Sequence, residues 1–139
     1  MKHQAAGSDK RTAVLLIAHG SRRQSANDEL VRLTETMRKQ SQYEIVEYAY
    51  LEIAEPTIPQ GLQSCLRLQP IRVLMMPYFL SAGAHVTNDL ERFRREFVRE
   101  HPTVEGILCQ PIGSHPKIVE IVIDRLRECC SDKPYETEK

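Results

Sequence analysis

Apolar residues fall alternately into short continuous runs and longer periodic stretches. Ala13-Val-Leu-Leu-Ile-Ala18 is a continuous run of strand length, the pattern of a strand covered on both faces. Ala26, Leu30, Leu33 and Met37 then share one face of a helix predicted from about Ser25 to Gln40. A second strand is predicted from about Tyr43 to Tyr50. Tyr43, Ile45 and Ala49 alternate there against Glu44, Val46, Tyr48 and Tyr50, which sorts the two faces poorly and suits a sheet edge. Leu51 to Pro56 reads as a loop, and Thr57 as the N-cap of a helix with Pro59 in its first turn. That helix runs to about Leu68 and turns Ile58, Leu62 and Cys65 inward.

Gln69-Pro70 precedes a third strand, Ile71-Arg-Val-Leu-Met-Met76, which Pro77 is expected to end because proline has no N–H for a ladder. Val86, Leu90, Phe93 and Phe97 mark a third helix that stops before His101-Pro102. A fourth strand spans about Val104 to Gln110, and a last helix about Pro116 to Cys130 with Ile118, Ile121, Val122 and Leu126 inward. Four βα units in succession predict an α/β domain: a single open parallel sheet of about four strands flanked by helices, with right-handed crossovers. The common flavodoxin-like order for such a sheet is 2-1-3-4. The domain covers residues 12–130, with polar tails at 1–11, read as mobile, and 131–139.

Composition narrows the function classes. A length of 139 residues suits one domain. Lys+Arg and Asp+Glu are equal at 19 each, so no global field draws the chain to nucleic acid or to a membrane surface. No apolar run approaches the roughly 20 residues of a membrane span. The first ten residues hold no apolar signal core, which points to the cytoplasm. Cys65, Cys109, Cys129 and Cys130 form no C-x-x-C pair; the first two read as core residues, in keeping with a reducing compartment.

Chemistry gathers in the loops. His19 follows the first strand, Glu52 the second, and His85 closes the loop after the third, with successive members 33 positions apart. Each βα unit returns the chain to the same sheet edge, so these side chains should emerge together, with His19 in the middle. Two imidazoles and a carboxylate suit a first-row divalent metal such as Fe, Co, Ni or Zn. They also suit proton abstraction near neutral pH. Gly20 and Gly83 read either as turn glycines or as places where a flat ligand approaches the backbone. Ser81 lies in the same loop as Gly83, and Tyr78 and Phe79 either line a ligand wall or pack that loop. Arg22 and Arg23, next to Ser21, either grip carboxylates or phosphates or begin a solvated helix. Arg92, Arg94, Arg95 and Arg99, interleaved with Glu91, Glu96 and Glu100, read as a salt-bridged outer face.

Three segments together resemble a known family: Leu16-Ile-Ala-His19-Gly-Ser-Arg22, Tyr50-Leu-Glu52-Ile-Ala-Glu-Pro56, and Pro77-Tyr-Phe-Leu-Ser-Ala-Gly-Ala-His85-Val-Thr-Asn-Asp89. They are similar to the short sirohydrochlorin chelatases, the single-domain CbiX- and SirB-type class II chelatases. The resemblance covers roughly Ala13 to Arg127. It implies a chelatase-like fold that pairs as a homodimer, and a lyase that inserts Co2+, Fe2+ or Ni2+ into sirohydrochlorin without ATP, in cobalamin or sirohaem synthesis. It implies no permanently bound cofactor; the metal is substrate. His19 and His85 would handle the metal and Glu52 would support them, with Gly20, Ser21, Arg22, Tyr78, Ser81 and Gly83 on the tetrapyrrole. Leu90-Glu91 stands where many relatives have Ile-Pro, a departure at the start of the third helix. A non-catalytic metal or tetrapyrrole carrier using the same cleft remains the alternative. The His19-Gly20 pair is also similar to that of histidine phosphatases, but theirs follows an arginine, and Ala18 stands here.

Overall fold

The computed structural model describes residues 11–113 and 115–131; the expected tails, beyond Arg11 and Ser131, lie outside the described residues. Four parallel strands, β1 (Thr12–Ala18), β2 (Ile45–Tyr50), β3 (Arg72–Pro77) and β4 (Glu105–Leu108), form one sheet in the order β2-β1-β3-β4. Helices α1 (Gln24–Gln40), α2 (Ile58–Cys65), α3 (Ala84–Glu100) and α4 (Lys117–Cys129) alternate with them. This is the expected α/β fold and strand order. Among the described residues, no helix is long and apolar enough to cross a membrane.

β1 lies at the centre because its side chains can be buried on both faces. Ala13, Leu15 and Ile17 face one core with Val73, Met75, Ile58, Leu62, Leu90 and Phe97, under α2 and α3. Val14 and Leu16 face a second core with Val46, Tyr50 and Leu30, under α1. β2 is the expected edge strand, yet Ile45, Val46, Ala49 and Tyr50 are all buried, since α1 and α2 cover it from both sides. α2 begins with a reciprocal cap. Thr57 Oγ1 accepts from the Gln60 N–H, and Gln60 Oε1 accepts from the Thr57 N–H. The expected continuation to Leu68 is a 3-10 turn, Leu66–Leu68, rather than α-helix.

Three expectations shift in detail. In α1 the buried side chains are Asn27, Leu30 and Thr34, while Ala26 is exposed. Asn27 can be buried there because its amide oxygen and nitrogen are each hydrogen-bonded to Ser21. Pro77 closes β3 instead of falling outside it. Tyr78 N–H points to β1, so the missing Pro77 donor faces β4, which has already ended at Leu108. The largest difference is α4, in which Ile118, expected inward, is only half-buried, and Ile121, Val122 and Leu126 are exposed. Among the described residues nothing packs closely enough on the helix to bury its apolar side, although Ile118 and Ile121 border a cavity with Met76, Leu80 and Ile112.

Candidate active site

Three loops leave the carboxyl edge of the sheet side by side, after β1, β2 and β3. Backbone bonds knit them together around the end of β1. Leu51 N–H donates to the Ala18 carbonyl at 2.9 Å, Glu52 N–H to the His19 carbonyl at 3.0 Å, and Tyr78 N–H to the Ile17 carbonyl at 2.6 Å. His19 therefore emerges between the loop carrying Glu52 and the loop leading to His85. Its imidazole packs against the Phe79 ring at 4.4 Å between centroids, tilted by 32°. Phe79 thus braces His19 as well as packing its own loop against the core. His19, Glu52 and His85 are all exposed at this edge.

Gly20 has a definite task. Its φ is +93°, and an added Cβ would lie 1.9 Å from the Glu52 carbonyl oxygen. Only a residue without a side chain lets the first two loops approach this closely. Gly83 differs: it precedes α3 with φ −69°, and a Cβ there would meet nothing within 4 Å. The turn does not require a glycine at that position, so the turn reading fails there and the open space remains. α3 begins at Ala84, with the Thr87 N–H bonded to the Gly83 carbonyl at 3.0 Å. His85 accordingly sits in the first helical turn rather than in the preceding loop.

Ser21 is held by Asn27. The Asn27 amide accepts from the Ser21 N–H at 2.9 Å and donates to the Ser21 carbonyl at 2.8 Å. Ser21 Oγ accepts from the Arg23 N–H at 3.0 Å. The Tyr50 hydroxyl, at the end of β2, donates to the Asn27 carbonyl at 2.6 Å. Burial, and behind it the neighbouring Tyr48 and Asp28, push the Tyr50 phenol above its ordinary range, so it stays a donor at neutral pH. Asn27 and Tyr50 position the site without having been singled out from sequence. The helical spacing of Asn27, Leu30 and Thr34 was the available signal.

The loop after β2 is tight. Tyr50 N–H donates to the Pro56 carbonyl at 2.9 Å, Ala54 N–H to the Glu52 carbonyl at 2.8 Å, and the Glu55–Pro56 peptide is cis. Ile53, next to Glu52, has φ +72°, a strained conformation for a β-branched residue, and is 63% exposed. Ile53, Tyr78 and Leu80 give the edge an apolar rim. Tyr78 shares a recess of about 230 Å³ with His19 and Gly20. Arg22 is exposed and lines a second recess, of about 380 Å³, with Tyr48, Tyr50 and Glu55. Ser81 lies apart from both, on an open cavity of about 920 Å³ shared with Leu80, Ile112, His115 and Ile118.

Among the described residues, no group of three or more His, Cys, Asp or Glu side chains is arranged to hold a metal ion. The motif residues share an edge without forming a closed cage. An ion held there by one or two of them would stay exchangeable, since tight protein-only sites use four ligands.

The sequence pattern that defines the CbiX family matches residues 13–129. The chain belongs to the CbiX family. It is 33% identical over 125 residues to the sirohydrochlorin ferrochelatase of Priestia megaterium, covering 90% of this chain and 47% of that protein. It is 32% identical over 137 residues to the sirohydrochlorin cobaltochelatase of Methanocaldococcus jannaschii, covering 81% of this chain and 96% of that one. The sirohydrochlorin chelatase SirB from Bacillus subtilis subspecies spizizenii, crystallised with cobalt, superposes with a TM-score of 0.78 at 25% identity, over 85% of this chain and 50% of SirB. This CbiX chain therefore spans about half the length of relatives such as the Priestia enzyme and nearly all of the Methanocaldococcus one.

Proposed function

We propose that this chain inserts a divalent metal ion into sirohydrochlorin, without ATP, acting as a homodimer. The observation that carries the proposal is the meeting of the first three βα loops at one sheet edge, with His19 bonded between its neighbours, in a chain of the CbiX family. The names of the Priestia and Methanocaldococcus relatives supply the reaction and substrate. Their two metals, iron and cobalt, share the same ligand preferences, so imidazole and carboxylate donors serve either.

The chemistry is a substitution: M2+ enters the ring and two pyrrole protons leave. The protein must hold the ion loosely, present the ring to it, and accept protons. His19 and His85, as neutral imidazoles, can each donate a lone pair to the ion or accept a proton, and Glu52 offsets the ion's charge. The ring carries several carboxylates, and Arg22 offers a cationic partner beside Ser21. The open space at Gly83 and the apolar rim of Ile53, Tyr78 and Leu80 suit a broad flat ligand better than a compact one. Among the described residues, His19, Glu52 and His85 are all left exposed. A second copy would supply the other wall.

The test is an absorbance assay of metal insertion into sirohydrochlorin with Co2+, Fe2+ and Ni2+ at equal concentration. Multiple turnovers are expected, and His19→Ala and His85→Ala should each remove most of the rate while unfolding at the wild-type denaturant midpoint. One equivalent bound per subunit without product would support a carrier instead. Full activity in both variants would refute the roles given to the histidines.

A further inference from the structure

Among the described residues, two that are not glycine have a positive φ, Ile53 at +72° and Gln69 at +53°. Gln69 follows the Leu66–Leu68 turn, and its N–H bonds to the Leu66 carbonyl at 3.0 Å, so the end of that turn accounts for it. Ile53 ends no helix. It is the centre of a three-residue turn, closed by the Ala54 N–H on the Glu52 carbonyl at 2.8 Å. That turn follows from what holds Glu52. Its N–H bonds to the His19 carbonyl at 3.0 Å and its carbonyl lies against Gly20. The chain must then come back, so that the Tyr50 N–H reaches the Pro56 carbonyl.

The turn explains the conformation but not the residue. Glycine or asparagine enters the left-handed region at little cost, whereas a β-branched side chain is crowded there. Burial would justify an isoleucine in such a place, yet Ile53 is 63% exposed. Ala54 packs on the core under α1 and Leu51 on the core under α2 and α3, while Ile53 packs on neither. Ile53 thus carries two costs, a strained backbone and an apolar side chain in water, and neither core offsets them. Strain of this kind collects where a chain grips a ligand. Ile53 directly follows Glu52 and lines the recess of about 380 Å³ with Ser21 and Arg22. An apolar side chain beside a guanidinium fits a flat ligand with apolar faces and a carboxylated rim.

We propose that Ile53 is a substrate-contacting residue, its side chain held out by the strained turn against the apolar face of the tetrapyrrole, beside Glu52 and Arg22. This rests on the reading of sirohydrochlorin as substrate given above. The ring covers the exposed isoleucine, so affinity is gained at this position at the expense of stability. An isoleucine kept for the fold alone behaves in the opposite way: replacing it lowers stability and leaves substrate affinity as it was. The contact is made to the ring before and after metal enters. It therefore belongs to binding rather than to proton transfer, and its loss should raise KM without lowering kcat.

The test compares Ile53→Asn and Ile53→Val with wild type, in the full chain. Asparagine accepts the left-handed conformation and removes the apolar surface, whereas valine keeps the branching and most of that surface. The readings are the urea midpoint, the Kd for metal-free sirohydrochlorin by its absorbance, and KM and kcat for Co2+ insertion. Ile53→Asn is expected to unfold at a higher urea midpoint and to raise Kd and KM about five- to tenfold, the scale of one uncovered isoleucine side chain, with kcat within about twofold. Ile53→Val should bring Kd and KM back to within about threefold of wild type. Wild-type Kd and KM in Ile53→Asn would overturn the contact. So would a fall in kcat alone, which would make Ile53 a positioning residue for Glu52. A lower midpoint would assign the isoleucine to the fold, and a dimer that Ile53→Asn dissociates would assign it to a second copy. Contact and activity are separable. Unchanged Kd and KM in a variant that inserts metal would sink the contact and leave the activity. Weakened ring binding in a protein that inserts no metal would do the reverse, and a wild-type chain that binds no sirohydrochlorin would end both.

Discussion

Replacing Gly20 by alanine should separate loop geometry from fold stability. The new Cβ would sit 1.9 Å from the Glu52 carbonyl oxygen, whereas real contacts of this kind stay above about 3.0 Å. One of the two loops must therefore retreat by about 1 Å. Retreat weakens the Glu52 N–H bond to the His19 carbonyl, which tethers the first loop to the second. The φ of +93° adds a conformational penalty that glycine does not incur. A left-handed conformation costs a non-glycine residue roughly 1–2 kcal/mol, and a lost backbone bond about 1 kcal/mol. The total, about 2–3 kcal/mol, should appear as a lower urea midpoint with an unchanged slope. The effect on turnover should be larger, because a displacement of about 1 Å at a reacting site can cost about 100-fold in rate. Gly83→Ala is the matched control: φ is −69° and the added methyl meets nothing, so stability should not fall. If Gly83→Ala lowers metal insertion at unchanged stability, the methyl meets the tetrapyrrole rather than the protein. The reasoning is refuted if Gly20→Ala unfolds at the wild-type midpoint and inserts metal at the wild-type rate, since the close approach of the two loops would then be dispensable.

Gly61→Ala should overpack α2 against β1 and β2, because its Cβ would lie 2.8 Å from Leu15 Cδ1 and 2.9 Å from Ala49 Cβ. A loss of about 1–3 kcal/mol in urea unfolding is expected, with activity per folded molecule retained. Cys129 and Cys130 are exposed, whereas Cys65 is buried, its thiol pushed up to about 12 chiefly by desolvation. A thiol reagent at pH 8 should therefore modify the two exposed thiols at once, Cys109 more slowly, and Cys65 only on unfolding; rapid reaction at Cys65 would contradict the packing. The Arg94 guanidinium, bonded to the Glu91 carboxylate, holds that carboxyl below its ordinary range. A carboxyl more acidic in the folded state stabilises it above the unfolded pKa, so the advantage of wild type over Glu91→Gln should be full near neutrality and vanish as pH falls through the folded value. An advantage independent of pH, measured by urea unfolding, would assign it to packing instead.

Much of this protein could be read before its shape was known. Local physics sufficed for the βα rhythm, because a run such as Ala13–Ala18 admits no exposed face and a strand buried on both sides must be central. Thr57 declared the start of α2, since its cap is completed by Gln60, three residues on. The positions of His19 and Glu52 at one edge followed from the crossover rule alone. Side chains whose roles depend on distant contacts were not legible. Asn27 looks like a polar helix residue until the Ser21 backbone and the Tyr50 hydroxyl are brought to it. Gly20 looks like any turn glycine until the Glu52 carbonyl is placed where a methyl would be.

α4 shows where local reading ends. Its sequence determines a helix with one apolar side, because periodicity and capping act over a few residues. Which surface receives that side is settled by segments far away in the chain, or by another chain altogether. Only the tertiary structure revealed that, among the described residues, no α4 side chain is buried and Leu74 and Ile107 are incompletely covered. Apolar burial has no direction of its own, so it dictates that a face be covered without dictating by whom.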